Sequence, residues 1–65
     1  IDSLTERELE ILQLLAEGKS NRAIAQQLVL ALGTVKTHVH NLSGKLHADS
    51  RLQAVARARE LSLID

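Results

Sequence analysis

The polar side chains between positions 32 and 46 are bases, hydroxyls, amides and imidazoles, and none of them is a carboxylate. If this stretch is helical, Gly33, Thr37, His40 and Gly44 centre one face, and Lys36 lies on its flank. A solvated helix face ordinarily carries glutamate. A face of bases and uncharged polar groups is instead expected on a helix that lies against phosphate. The pattern therefore favours an anionic partner for this segment.

The three histidines do not form a metal site. His38 and His40 are two residues apart, so on a helix they point about 200° away from each other. His40 and His47 share a face but are two turns, about 10 Å, apart. The chain has no cysteine that would complete a ligand set. We therefore predict no metal and no cofactor.

Catalysis is also not indicated. Acidic residues such as Glu6 and Glu10 fall on a solvated helix face with no histidine in reach, and the serines lack the sharp glycine-flanked turn that exposes a nucleophile. A chain of 65 residues offers little room for a substrate pocket. We predict that the protein is not an enzyme and that this domain binds no small molecule.

The net charge of zero conceals an uneven distribution. Residues 1–18 hold five carboxylates against Arg7, a balance of −4, whereas residues 19–59 hold seven bases against Asp49, a balance of +6.

No apolar run is long enough to span a membrane, and no signal-peptide pattern is present. We expect one domain over residues 1–65 and a cytoplasmic location. Because the chain starts at Ile1 rather than Met, we expect it to be part of a longer regulator.

Periodicity and capping signals predict an all-α fold of four helices, at about residues 6–17, 21–28, 32–46 and 51–61. Thr5 and Glu8 form a capping box, Ser20 caps the second helix, and Asp49 or Ser50 caps the fourth. Gly18 suits a left-handed helix end. The predicted buried residues are Leu9, Ile11, Leu12, Leu15 and Ala16; Ile24, Ala25 and Leu28; Val35, Val39, Leu42 and Leu46; and Leu52, Val55, Ala58 or Ala56, and Leu61.

Several sequence blocks resemble the C-terminal DNA-binding domain of the LuxR/FixJ type, also called GerE-like. They are LTERELEIL at Leu4–Leu12, GKSNRAIA at Gly18–Ala25, TVKTHV at Thr34–Val39, a KL pair with a spaced arginine at Lys45–Arg51, and QAVARA at Gln53–Ala58. A single such block is a weak signal, but all of them in order cover roughly residues 3–64. The resemblance implies a helix-turn-helix whose third helix enters the major groove of double-stranded DNA in transcription regulation.

The resemblance also implies roles for individual residues. Base edges would be read by Lys36, Thr37 and His40, which agrees with the outer face derived from periodicity. The residues that would contact the DNA backbone are Ser20, Asn21, Arg22, Thr34, Lys45 and Arg51. The residues that would contribute to a dimer contact through the fourth helix are Val55, Ala58 and Arg59.

Several positions depart from the family pattern, and two of them lie at the ends of the third helix. Ala31 stands where a serine usually caps the recognition helix, and His47 stands where a glycine is common and positive φ is expected.

The expected partners are double-stranded DNA, a second copy of the chain, and RNA polymerase. A helical protein-interaction module that reuses this fold stays open as the alternative, although the outer face of the third helix lacks the large apolar anchors of such modules.

Overall fold

The computed structural model describes residues 3–65 and contains four helices and no strand in that range. The helices are α1 (Glu6–Ala16), α2 (Asn21–Leu28), α3 (Leu32–Lys45) and α4 (Arg51–Glu60). The predicted all-α, four-helix fold is confirmed. The bounds of α2 are as predicted, and α1, α3 and α4 each end one residue earlier. Ile1, on which the expectation of a longer protein depends, lies outside the described residues.

Side-chain caps start three of the four helices. The Glu8 amide donates to Thr5 Oγ1 at 3.1 Å and the Thr5 amide donates to Glu8 Oε1 at 2.8 Å, which confirms the capping box. Ser20 and Ser50 each accept a backbone N–H at 3.1 Å from the residue three positions later. Ser50 is therefore the cap of α4, not Asp49. Ala31 precedes α3 with extended backbone but makes no side-chain capping bond.

All four helix ends close through residues with positive φ, and the one after α4 is Ser62 at φ 58. Gly18 follows α1 at φ +86, as predicted for a glycine at this position. Val29 ends α2 at φ 55 and ψ 51 and forms the turn into α3. His47 follows α3 at φ 54, as its place at a usual glycine position predicts. Val29 is the unexpected one, because a β-branched side chain is strained in this conformation.

The core lies around α3, which packs against α1, α2 and α4. Its fully buried larger side chains are Ile11, Leu12, Ile24, Val35, Leu42 and Leu46. Leu14 is also buried, which periodicity did not predict, because α1 contacts both α3 and α4 and buries a broad face.

The prediction for α4 needs correction. Its inward stripe is narrow and consists of Ala54, Val55 and Ala58, whereas Leu52 and Leu61 are 80% and 46% exposed. At about 100° per residue, Leu52 lies well away from the centre of that stripe. Small side chains at the contact let α4 lie close to α1. Leu52 is consequently an exposed apolar side chain and does not belong to the core.

No helix in residues 3–65 is both long enough and apolar enough to cross a membrane.

Candidate nucleic-acid interface

The outer face of α3 carries the side chains expected to read bases. Lys36, Thr37 and His40 are exposed, as is Thr34 in the first turn of the helix. They are held there by the opposite side of α3, where Val35 and Leu42 are completely buried. Buried side chains at this spacing fix the rotation of the helix about its axis, so its polar face must point outward.

The hydrogen bonds of this face define what it offers a partner. Thr37 donates its hydroxyl proton to the Gly33 carbonyl at 3.0 Å. The Thr37 oxygen therefore presents its lone pairs, and it acts as an acceptor. Lys36 and His40 make no side-chain hydrogen bond or ion pair within residues 3–65, which leaves the Lys36 ammonium available as a donor.

The start of α2 forms the second part of the candidate interface. Ser20 accepts the Ala23 amide through its side-chain oxygen, and its own hydroxyl proton remains available for donation. Arg22 follows in the first turn and is exposed. The sequence contains no acidic residue between positions 19 and 48, whereas exposed glutamates lie on α1. The helix-turn-helix is therefore basic, and the acids lie on another element.

Lys45, unlike the exposed residues at the start of α2, is bound within the molecule. Its ammonium donates to Glu8 Oε1 at 2.8 Å and to the Ser3 carbonyl at 3.3 Å, and it joins the end of α3 to the start of α1. The Glu8 side chain is only 5% exposed. Burial by itself would raise the pKa of the Glu8 carboxyl, but hydrogen bonds from Lys45 and Thr5 outweigh burial, and the pKa lies below its ordinary value. These contacts assign Lys45 to the internal structure, and its expected place among the phosphate contacts has no support in the geometry.

Arg51 is likewise engaged within the molecule. One guanidinium nitrogen donates to the Lys19 carbonyl at 2.9 Å, and the other donates to the side-chain oxygen of Asn21. Arg51 thus lies beside the expected phosphate contacts, but its guanidinium donors are already used by Lys19 and Asn21. No local pattern could have indicated these bonds, because the partners are 30 and 32 residues away in sequence.

The expected dimer residues on α4 separate into two kinds. Val55 and Ala58 are 6% and 0% exposed and belong to the core, so the geometry gives their expected contact with a second copy no support. Arg59 is exposed, and its Nε donates to the Asp65 carbonyl at 3.1 Å. The sequence pattern could not decide whether Val55 and Ala58 lie in the core or in a dimer contact, because both environments select small apolar side chains.

Within residues 3–65, no group of three or more potential ligand side chains lies close enough together to hold a metal ion. His38 is partly buried, while His40 and His47 are exposed at separate positions along and beyond α3.

A capped α2, a tight turn at Val29 and an α3 with an exposed, acid-free polar face together define a helix-turn-helix domain of the DNA-binding class. The family model described as "Bacterial regulatory proteins, luxR family" matches residues 2–58. The chain belongs to this family of transcription regulators, and it is a DNA-binding domain and not an enzyme.

Similar proteins agree with this assignment. The chain is 47% identical over 64 residues to the transcriptional regulatory protein LiaR of Bacillus subtilis, and 49% identical over 63 residues to the response regulator protein VraR of Staphylococcus aureus. These matches cover 98% and 97% of this chain and 30% of each relative. A crystal structure of the response regulator ChrA from a heme-sensing two-component system superposes with a TM-score of 0.94 at 44% identity, and the match covers 98% of this chain and 32% of that one.

Proposed function

We propose that the domain binds specific sequences in double-stranded DNA by placing the outer face of α3 in the major groove. The observation that carries the proposal is the exposed, acid-free face formed by Lys36, Thr37 and His40, next to the basic start of α2. Phosphate would attract such a surface and would repel one that carried the glutamates of α1.

The two parts of the interface have different tasks. Ser20, Asn21 and Arg22, with Thr34 at the start of α3, contact phosphates and set the register of the domain on DNA. Lys36 donates to the N7 and O6 acceptors of guanine. Thr37, whose proton is engaged by Gly33, accepts from an exocyclic amine of adenine or cytosine. His40 reads a base edge one turn further along the helix.

The experiment that tests this function measures binding of fluorescently labelled duplexes selected from a random pool. Lys36→Ala is expected to weaken binding to the selected site by roughly tenfold and to relax the preference at one base pair, since a good base contact discriminates by about 1–3 kcal/mol. Arg57→Ala, which removes an exposed positive charge from α4, is the matched control and is expected to leave the preference unchanged. An unaltered preference in Lys36→Ala would remove Lys36 as a base reader.

A second copy of the domain binds alongside the first on two half-sites about one helical turn apart. The supporting observation is Leu52, an apolar side chain left 80% exposed on α4, with the exposed Arg59 two turns further along. Leu52→Ser is expected to abolish cooperative binding to a two-site duplex while a single half-site is bound as before. If cooperativity persisted in this variant, α4 would not be the dimer contact.

The chain spans about 30% of the length of the relatives that it matches. Two of these proteins are named as response regulators, which supports a role for this domain as the DNA-binding output of such a regulator. Contact with RNA polymerase would then follow once the domain is bound near a promoter. DNA as the partner also implies a location in the bacterial cytoplasm.

A further inference from the structure

Arg51 connects the first residue of α4 to the start of α2. Its guanidinium donates to the Lys19 carbonyl at 2.9 Å and to the side-chain oxygen of Asn21. These two acceptors lie on either side of Ser20, the residue that caps α2. Within residues 3–65, no other side chain from outside this segment makes a hydrogen bond to it.

We infer that Arg51 is a positioning residue for DNA binding, which orients the Asn21 amide so that its NH₂ group donates to a DNA phosphate. The inference rests on the proposed function, in which Asn21 contacts the DNA backbone. Arg51 would then act on DNA binding only through Asn21, since its own guanidinium donors are used inside the molecule.

The chemistry of the amide supports this orientation. A side-chain amide has an acceptor end and a donor end, and the acceptor oxygen of Asn21 already faces the guanidinium. Rotating the amide by 180° would place NH₂ against N–H, donor against donor. Arg51 therefore excludes the flipped orientation and leaves the two N–H donors of Asn21 facing away from it. Asn21 is only partly buried, so a phosphate oxygen can reach those donors.

The geometry also explains why the residue is arginine. A planar guanidinium bonds two acceptors at once in a fixed fork, whereas a lysine ammonium acts as a point charge on a flexible stem. Holding both the Lys19 carbonyl and Asn21 fixes the path of the chain into α2 as well as the amide. Arg51→Lys keeps the charge but is expected to lose this double attachment.

The alternative is that Arg51 leaves these partners and binds a phosphate itself. The salt dependence of DNA binding separates the two cases. Each neutralised phosphate contributes about 0.9 to the slope of log K against log salt concentration. A positioning residue changes the affinity but leaves the slope unaltered, whereas a direct phosphate ligand changes both.

The experiment compares Arg51→Met, Arg51→Lys, Asn21→Ala and the Arg51→Met/Asn21→Ala double variant, with Arg57→Met as the charge control. Dissociation constants for one selected duplex are measured by fluorescence anisotropy over a salt series, and unfolding temperatures confirm that each variant is folded during the assay. Arg51→Met and Asn21→Ala are each expected to weaken binding about tenfold, the scale of one hydrogen bond to a charged group. The double variant is expected to bind like Asn21→Ala alone, and Arg51→Lys like Arg51→Met.

Three results would overturn the inference. They are a salt slope lowered by about 0.9 in Arg51→Met, full additivity in the double variant, and unchanged affinity in Arg51→Met when Asn21→Ala binds weakly. Failure of the proposed function would give a different result. The unmodified domain would then not bind DNA, or Asn21→Ala would bind DNA as tightly as the unmodified domain.

Asn21→Asp adds a further check, since the carboxylate still accepts from Arg51 but cannot donate to phosphate. It is expected to keep the unfolding temperature and to lose DNA binding.

Discussion

The ion pair between Glu8 and Lys45 is expected to be a principal stabilising contact of the domain. Glu8→Gln removes the charge while keeping the shape of the side chain and an oxygen that accepts the Thr5 amide. Because the Thr5 amide and the Lys45 ammonium both donate to Glu8 Oε1, the glutamine oxygen still accepts from Lys45, and what is lost is the negative charge in a 2.8 Å contact at a side chain that is 5% exposed. Breaking a fully buried pair costs about 3–5 kcal/mol. Here the Lys45 side chain is 27% exposed and retains water, so we expect a loss of roughly 1–2 kcal/mol.

The assay is thermal and urea unfolding followed by circular dichroism. For a domain of this size, 1 kcal/mol corresponds to a change of about 4–8 °C in the midpoint, so the expected loss is easily measured. Glu10→Gln is the matched control, because Glu10 lies on the same helix and its contact with Arg7 is exposed and 4.0 Å long. Exposed pairs contribute about 0–1 kcal/mol, so this control is expected to unfold close to the unmodified domain.

The pH dependence gives an independent check of the same contact. The folded-state pKa of Glu8 is lowered, so its stabilisation is fully present above the unfolded-state value of about 4.3 and is lost as the pH falls through the folded-state value. The difference in stability between the unmodified domain and Glu8→Gln is therefore expected to be constant near neutral pH and to shrink in acid. A Glu8→Gln variant as stable as Glu10→Gln, or a difference that does not change with pH, would refute the reasoning.

Three further predictions concern single positions. Val29→Gly is expected to raise the free energy of unfolding by about 0.5–1 kcal/mol, because relief of roughly 1–2 kcal/mol of left-handed strain exceeds the added flexibility of glycine; a lower urea midpoint would contradict this. Ala31→Ser is expected to add about 1 kcal/mol by supplying the missing cap of α3, and an unchanged melting temperature would mean that the new hydroxyl does not cap. Arg22→Ala is expected to weaken DNA binding equally across sequences and to lower the salt slope by about 0.9, and an unaltered slope would exclude a phosphate contact.

Much of the fold follows from local signals in the sequence. The capping box at Thr5 and the cap at Ser20 fix where helices begin, and the apolar spacing of α3 fixes which side of it is buried. The outer face of α3 is then determined as its complement. For this reason the exposure of Lys36, Thr37 and His40 could be predicted without any tertiary information.

The rest depends on contacts between residues far apart in sequence. Lys45 and Arg51 are both basic and both near the interface, so the resemblance placed them on DNA. Their partners, Glu8 and Asn21, are 37 and 30 residues away and become neighbours only when the helices pack. On α4, periodicity alone does not distinguish a core side chain from an exposed one, because both Leu52 and Val55 are apolar.

The central claim is that α3 and the start of α2 form the DNA-binding surface. A titration of the isotopically labelled domain with a short duplex at low salt, followed through its backbone amide resonances, tests this most directly. The account predicts shifts concentrated at residues 20–22 and 33–41 that fade as salt is added. Shifts confined to α1 or α4, or a folded spectrum that DNA leaves unchanged, would contradict it.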